Sequence, residues 1–228
     1  EAFLTKTSEE LESKKGFVFF TTTRGVVKKT AVEDFANIRT SGIIALTLDK
    51  GDNLVFVDST SGQDDILLTT SMGQSIRFSE KEVRQMGRSA KGVTGIKLSK
   101  ENDNVVGTVI IPNRSNDIEL LVISKLGYGK KTKTGEYKTQ KRAGSGILTY
   151  KVKDKTGELV AARAIDKDAE YDALIATTSG KIIRLSLKQI PTLGRATQGV
   201  RLIKLGEKDE VASVAIMKQE DQEMVQEE

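Results

Sequence analysis

The sequence predicts an all-β, propeller-like protein, and three observations carry that prediction. A unit of about 50 residues recurs four times along the 228-residue chain. Each unit is made of short β-branched or aromatic runs punctuated by glycine. Helical periodicity is nearly absent, with a short turn near VEDFANIR as its single candidate.

The first element of every unit is a hairpin. The segments are FVFFTTTRGVVKKT from Phe17, DILLTTSMGQSIRF from Asp65, ELLVISKLGYGKKT from Glu119 and DALIATTSGKIIRL from Asp172. Each reads as a strand, a tight turn and a second strand ending in basic residues. The turn residues Gly25, Gly73, Gly127 and Gly180 lie 48, 54 and 53 residues apart. Glycine supplies the positive φ such a turn requires.

The second element follows an arginine and a glycine: NIRTSGIIALTL, GRSAKGVTGIKL, KRAGSGILTYKV and GRATQGVRLIKL. Arg39, Arg88, Arg142 and Arg195 precede Gly42, Gly92, Gly146 and Gly199 by three or four positions, and an alternating strand begins there. A last apolar run closes each unit, at Leu54, Val105, Leu159 and Val211. Four strands per copy at this period describe propeller blades, approximately residues 16–62, 63–116, 117–170 and 171–216. Blades packed face to face account for the continuously apolar FVFF and IIAL. Residues 1–15 read as a remnant of a preceding blade, with Phe3-Leu4-Thr5 as its stub strand, and 217–228 as an acidic tail.

Composition excludes several chemistries. The chain has no cysteine and no histidine, so disulfides, thiolate or imidazole metal sites and histidine-based catalysis cannot be built from it. No carboxylate pair stands at a telling spacing. No apolar run approaches the roughly 20 residues that span a bilayer, and the acidic N-terminus is unlike a signal peptide. The expectation is a soluble, cytoplasmic, non-catalytic chain that carries no cofactor and contacts no membrane.

Charge is unevenly spread. Taking −3 at residues 1–13 and −4 at 217–228 from a net of +4 leaves +11 on the body. A basic body points towards a polyanion. The fourth residue after each turn glycine is basic: Lys29, Arg77, Lys131 and Arg184. Lys28 and Lys130 precede two of these. Being lysines, Lys28, Lys29, Lys130 and Lys131 are expected to face solvent and phosphate rather than form a planar clamp. Arg39, Arg88, Arg142 and Arg195 read equally well as phosphate ligands or as ties between a loop and neighbouring carbonyls. Lys91 joins the candidates in the second copy. The third copy is the most basic, adding Lys133, Lys138 and Lys141 beside Gln140, and should make the strongest anion contact.

Base-reading devices are missing: there is no recognition helix or zinc finger, and 5% of residues are aromatic. What remains is backbone-directed binding of double-stranded DNA without sequence preference, combined with bending. GYGKKT at Gly127 lacks the spacing of a phosphate-binding loop and reads as a hairpin turn. A protein-interaction propeller whose basic rim binds an acidic partner is the competing reading.

The landmarks GVVKKT at Gly25, IRTSGIIALTL at Ile38 and GRATQGVRLIKL at Gly194 resemble the C-terminal domain of DNA gyrase A, with the corresponding domain of topoisomerase IV as a close relative. The resemblance runs from about Gly16 to Met217. It implies a β-pinwheel, a propeller-like fold whose blades exchange strands. It also implies a rim around which DNA is wrapped for strand passage and negative supercoiling, in a nucleoid-associated, ATP-dependent holoenzyme. The partners there are the catalytic part of gyrase A and the separate gyrase ATPase. The family's heptapeptide (Gln, basic, Arg, Gly, Gly, basic, Gly) belongs to the first blade. The nearest string is Gln140-Lys141-Arg142-Ala143-Gly144-Ser145-Gly146, in the third copy and with two replacements. It reads as a degenerate counterpart.

Overall fold

The computed structural model describes residues 16–36, 42–115, 117–167 and 170–218. The proposed N-terminal remnant, the acidic tail beyond residue 218 and Arg39 lie outside the described residues. The first repeat forms β1 (Phe17–Thr22), β2 (Val26–Ala31) and β3 (Leu54–Thr60). The second forms β4 (Asp65–Thr70), β5 (Gln74–Ser79), β6 (Val93–Thr94) and β7 (Val105–Ile111). The third forms β8 (Ile118–Ser124), β9 (Tyr128–Lys133), β10 (Ile147–Leu148) and β11 (Leu159–Asp166). The fourth forms β12 (Tyr171–Thr177), β13 (Ile182–Ser186), β14 (Val200–Arg201) and β15 (Val211–Lys218).

Each hairpin turn is built alike. The turn glycines have φ of 77°, 79°, 77° and 82°, a region that costs an L side chain about 1–2 kcal/mol. Each donates its amide to the carbonyl three residues back at 3.0 Å. Short 3-10 turns follow the hairpins, Val32–Phe35 among them, where the sequence suggested a turn.

The sheets run β3-β1-β2-β6, β10-β5-β4-β7, β11-β8-β9-β14 and β13-β12-β15. Thus β6, β10 and β14 each leave their own repeat and complete the sheet of the repeat before. This exchange makes the fold a β-pinwheel. Two expectations need correction. The fourth sheet has three strands among the described residues, with none beside β13 in the place that β6, β10 and β14 take in the other sheets. The inserted strands are only two residues long, and residues 42–49 of the first repeat form none.

The central strands β4 and β8 are buried throughout, on both faces of their sheets. That explains their unbroken apolar runs. The same explanation fails for IIAL, where Ile44 is 72% exposed.

The chain divides into two compact units. The first comprises Glu1–Leu68, Ile76–Arg114 and Thr139–Gly146. Its core gathers Phe19, Val27, Ile66, Leu68, Ile76 and Phe78, all with no exposed area. Burying each such side chain contributes about 1.5–3 kcal/mol. The second unit comprises Thr69–Ser75, Ser115–Lys138 and Ile147–Glu228. Its core is built on Leu121, Ile123, Ala173, Ile175 and Leu187.

Candidate nucleic-acid interface

Arg184 excepted, the hairpin cations are drawn into the fold. Lys28 and Lys130 each have 0% exposed area. The Lys28 ammonium donates to the carbonyls of Ala45, at 2.7 Å, and Arg88. Lys130 donates to the carbonyls of Gly194 and Arg195 at 2.6 and 2.5 Å. Burial pushes both lysines down to about 8 from 10.5. Each ammonium therefore ties down the Gly-Arg turn of the following repeat. The charge is tolerated because main-chain oxygens replace lost water.

Lys29, Arg77, Lys131 and Arg184 pair with acids. The Lys29 ammonium is 3.5 Å from Glu80 Oε2, donates to the Glu80 carbonyl and lies 4.7 Å from the Phe17 ring centre. Arg77 Nε donates to Asp65 Oδ2 at 2.9 Å, with both side chains buried. Lys131 is 3.4 Å from Glu119. Arg184 Nη2 is 2.5 Å from Asp172, yet its side chain remains 55% exposed.

Strand register explains three of these pairs. Asp65, Glu119 and Asp172 each open a hairpin twelve residues before their cation. Glu119 pairs across the ladder with Lys133, and Leu121 with Lys131, so Glu119 and Lys131 are diagonal neighbours on one face. Asp172 and Arg184 stand in the same relation. The first repeat carries Phe17 where the others have the acid, and Lys29 turns to Glu80 and to the aromatic ring instead. The returning chain docks on this pair. Thr139 donates to Asp65 at 3.2 Å, and Thr192 to Glu119 at 3.0 Å.

The arginines of the second landmark act as loop ties in two copies. Arg142 donates from Nη1 to the Thr94 carbonyl at 2.9 Å and from Nε to the Glu82 carbonyl at 3.0 Å. Arg195 Nη1 donates to the Leu148 carbonyl at 3.0 Å. The main-chain amides of Arg142 and Arg195 also donate to Glu82 and Glu136. Arg88 is half-buried. The Gln140 amide donates to the Arg77 carbonyl at 2.7 Å, which fixes the start of the heptapeptide.

The solvent-facing assignment of Lys28, Lys29, Lys130 and Lys131 is therefore corrected, and Arg77 is enclosed with them. Their strands lie in the sheet interior, where a cation persists only with partners. The exposed candidates are Lys91, Lys133, Lys138, Lys141 and Arg184. Lys91 is 2.5 Å from Asp49.

One exposed set was missed from the sequence. Lys97, Lys151 and Lys204 occupy the same position after Gly92, Gly146 and Gly199, and all three are exposed. Their signal was the repeated lysine five residues after the glycine, in GIKL, LTYK and LIKL. Nearby, Arg201 stacks on Tyr128 at 5.4 Å and donates to its hydroxyl at 2.9 Å.

Four repeats of antiparallel strands, each sheet but the last completed from the next repeat, define a strand-exchanged β-propeller-type domain with a lysine-rich surface. The chain belongs to the family described as "DNA gyrase C-terminal domain, beta-propeller", which matches residues 16–61, 64–112, 119–166 and 171–216. It is 46% identical over 205 residues to the DNA gyrase A protein of Ureaplasma parvum serovar 3, covering 90% of this chain and 24% of that protein. Identity to the DNA gyrase A protein of Staphylococcus aureus strain MRSA252 is 42% over 212 residues, covering 93% of this chain and 24% of that protein. The chain thus spans about a quarter of the length of these relatives.

Two solved structures are similar. "Structure of DNA gyrase A C-terminal domain" superposes with a TM-score of 0.75 at 25% identity, over 90% of this chain and 66% of the other. "Crystal structure of the C-terminal domain of DNA topoisomerase IV" gives 0.83 at 27% identity, over 91% and 64%.

Proposed function

We propose that this chain is a non-catalytic module of a bacterial type II topoisomerase that binds duplex DNA by its backbone and bends it. The observation that carries the reading is the repeated exposed lysine of the inserted-strand segment, Lys97, Lys151 and Lys204, in a chain of the gyrase C-terminal domain family. Exposed lysines on flexible stems suit phosphates and carry no base information. Lys133, Lys138 and Lys141 add exposed cations in the third repeat. In a holoenzyme the module works beside the catalytic part of gyrase A and the separate gyrase ATPase, in the cytoplasm on nucleoid DNA. Its role there is to present a DNA segment for strand passage and supercoiling.

Duplexes of increasing length, carrying a fluorophore at each end, test this. Affinity should climb with length while the ends converge. The logarithm of affinity should fall with the logarithm of salt at a slope near −5 for about six neutralised phosphates. Weak binding that ignores length, with the ends staying apart, would overturn the reading and favour an acidic protein partner.

A further inference from the structure

A cavity of about 310 Å³ opens in the second unit, between the third hairpin turn, the loop around residue 155 and the chain that leads into β15. Four cations line it, Lys155, Arg201, Lys204 and Lys208, and all four are exposed. None of them has a carboxylate partner among the described residues. The two acids in the lining are committed elsewhere. Asp209 accepts from the Thr178 hydroxyl at 3.0 Å and the Ser179 hydroxyl at 2.8 Å, and Glu210 is 3.1 Å from Lys125. Leu126, Ile203 and Leu205 give the cavity an apolar wall.

The fold itself does not call for these side chains. Tyr128 pairs with Arg201 across the ladder, at the position where the first sheet pairs Val26 with Thr94 and the second Gln74 with Leu148. Here an aromatic ring meets a guanidinium instead, 5.4 Å from the ring centre, and the tyrosine hydroxyl accepts from Nη2 at 2.9 Å. Lys208 is held at φ 63°, in the left-handed region that L side chains rarely adopt, and its counterpart in the first repeat is Gly51 at φ 77°. The turn is the same in both, with the amide of Asp52 or Asp209 donating to the carbonyl three residues back. That backbone suits glycine, and lysine adds strain while setting a cation at the cavity.

We propose that this cavity binds a nucleotide whose base is unpaired. Its volume lies at the small end of the range for small-molecule sites, about 300–1,000 Å³, which admits one nucleotide and no length of peptide. Four cations around so small a space call for closely set negative charges, which a diphosphate supplies and separate side-chain carboxylates do not. The phosphates sit on Lys155, Lys204 and Lys208. The base lies on the Arg201 guanidinium, whose planar face stacks on flat rings, and against the apolar wall. A free nucleotide and a nucleotide displaced from DNA share this chemistry. Lys204 also belongs to the DNA-facing set, yet the inference stands on the other three cations and the Tyr128–Arg201 pair, and its first test uses no DNA.

Calorimetric titration of the 228-residue chain with ADP, pyrophosphate and adenosine tests it. ADP should bind at one site, and each of the other two at least about tenfold more weakly, because each lacks half of the ligand. Lys208→Gly removes a cation and fits the left-handed backbone, so it should keep the melting temperature while weakening ADP by about tenfold. Arg201→Gln should weaken ADP similarly, whereas Lys167→Gln, exposed but outside the cavity, should change nothing. Displacing bound ADP with a flush duplex, and with the same duplex bearing one unpaired 5′-phosphorylated adenosine, identifies the source. Preference for the overhang assigns a nucleotide of DNA, and equal displacement a free one. Absence of ADP binding overturns the proposal. So does pyrophosphate or adenosine binding as tightly as ADP, a folded Lys208→Gly chain that holds ADP like the wild type, or an equal loss in Lys167→Gln.

Discussion

Asp65 and Arg77 open and close one hairpin twelve residues apart, and the Arg77 Nε donates to the Asp65 carboxylate at 2.9 Å inside the fold. Thr139 of the next repeat donates to the same oxygen, so one buried ion pair also anchors the chain arriving from the following copy.

That arrangement makes Arg77 a stability residue. Arg77→Met strands a buried carboxylate and should cost about 3–5 kcal/mol, while replacing Asp65 and Arg77 together with apolar residues should cost far less. Arg184→Met should cost less, because the Arg184 side chain is 55% exposed and water screens that pair, although Asp172 is itself buried. Urea unfolding followed by circular dichroism separates the three, and equal losses for Arg77→Met and Arg184→Met would contradict the assignment.

DNA affinity should respond to a different set of cations. Changing Lys97, Lys151 and Lys204 together to Gln is expected to flatten the salt slope by about 2.7, at 0.9 per phosphate, and to leave the melting temperature unchanged. Lys130→Met should leave that slope intact and lose about 1–3 kcal/mol of stability, because the carbonyls of Gly194 and Arg195 lose their donor. Fluorescence anisotropy titrations at several salt concentrations, paired with melting curves, distinguish the two behaviours.

Stability should rise with pH above about 8 and fall again beyond about 10.5. Burial lowers Lys28 and Lys130 to about 8 from 10.5, so between those values the unfolded chain holds more protons than the folded one. Stability then increases with pH across that window. Burial raises the Tyr137 hydroxyl to about 12 from 10.0, and this group has the opposite effect between those two values, since it ionises first in the unfolded chain. Melting temperatures at constant ionic strength should show the rise and the fall, and Lys130→Met should flatten the rise. A decline from pH 8 to 10 would refute the lysine assignment.

Ala143 adopts φ 64° where the family heptapeptide has glycine. An alanine there costs about 1–2 kcal/mol, partly offset by the greater freedom glycine brings to the unfolded chain. Ala143→Gly should therefore raise stability by about 0.5–1 kcal/mol. Its amide bond to the Gly95 carbonyl, at 2.6 Å, should persist, since glycine keeps the same N–H. A loss of stability in chemical denaturation would show that the Ala143 methyl group contributes packing.

By itself the sequence determined the repeat, the hairpins and their glycine turns, because turn chemistry and β-branched runs are local and recur in register. It also held the acid twelve residues before each of three cations, a signal legible once the hairpin register is known. Only the tertiary structure decided which cations are buried. In the central strands both faces are covered, so the alternation that would sort inward from outward side chains is lost. Lys28 and Lys130 therefore look like Lys97 and Lys204 on paper. The destination of the inserted strands was equally a tertiary matter. Two residues such as Val93 and Thr94 carry no local mark of the hairpin they complete, which depends on a glycine carbonyl some seventy residues upstream.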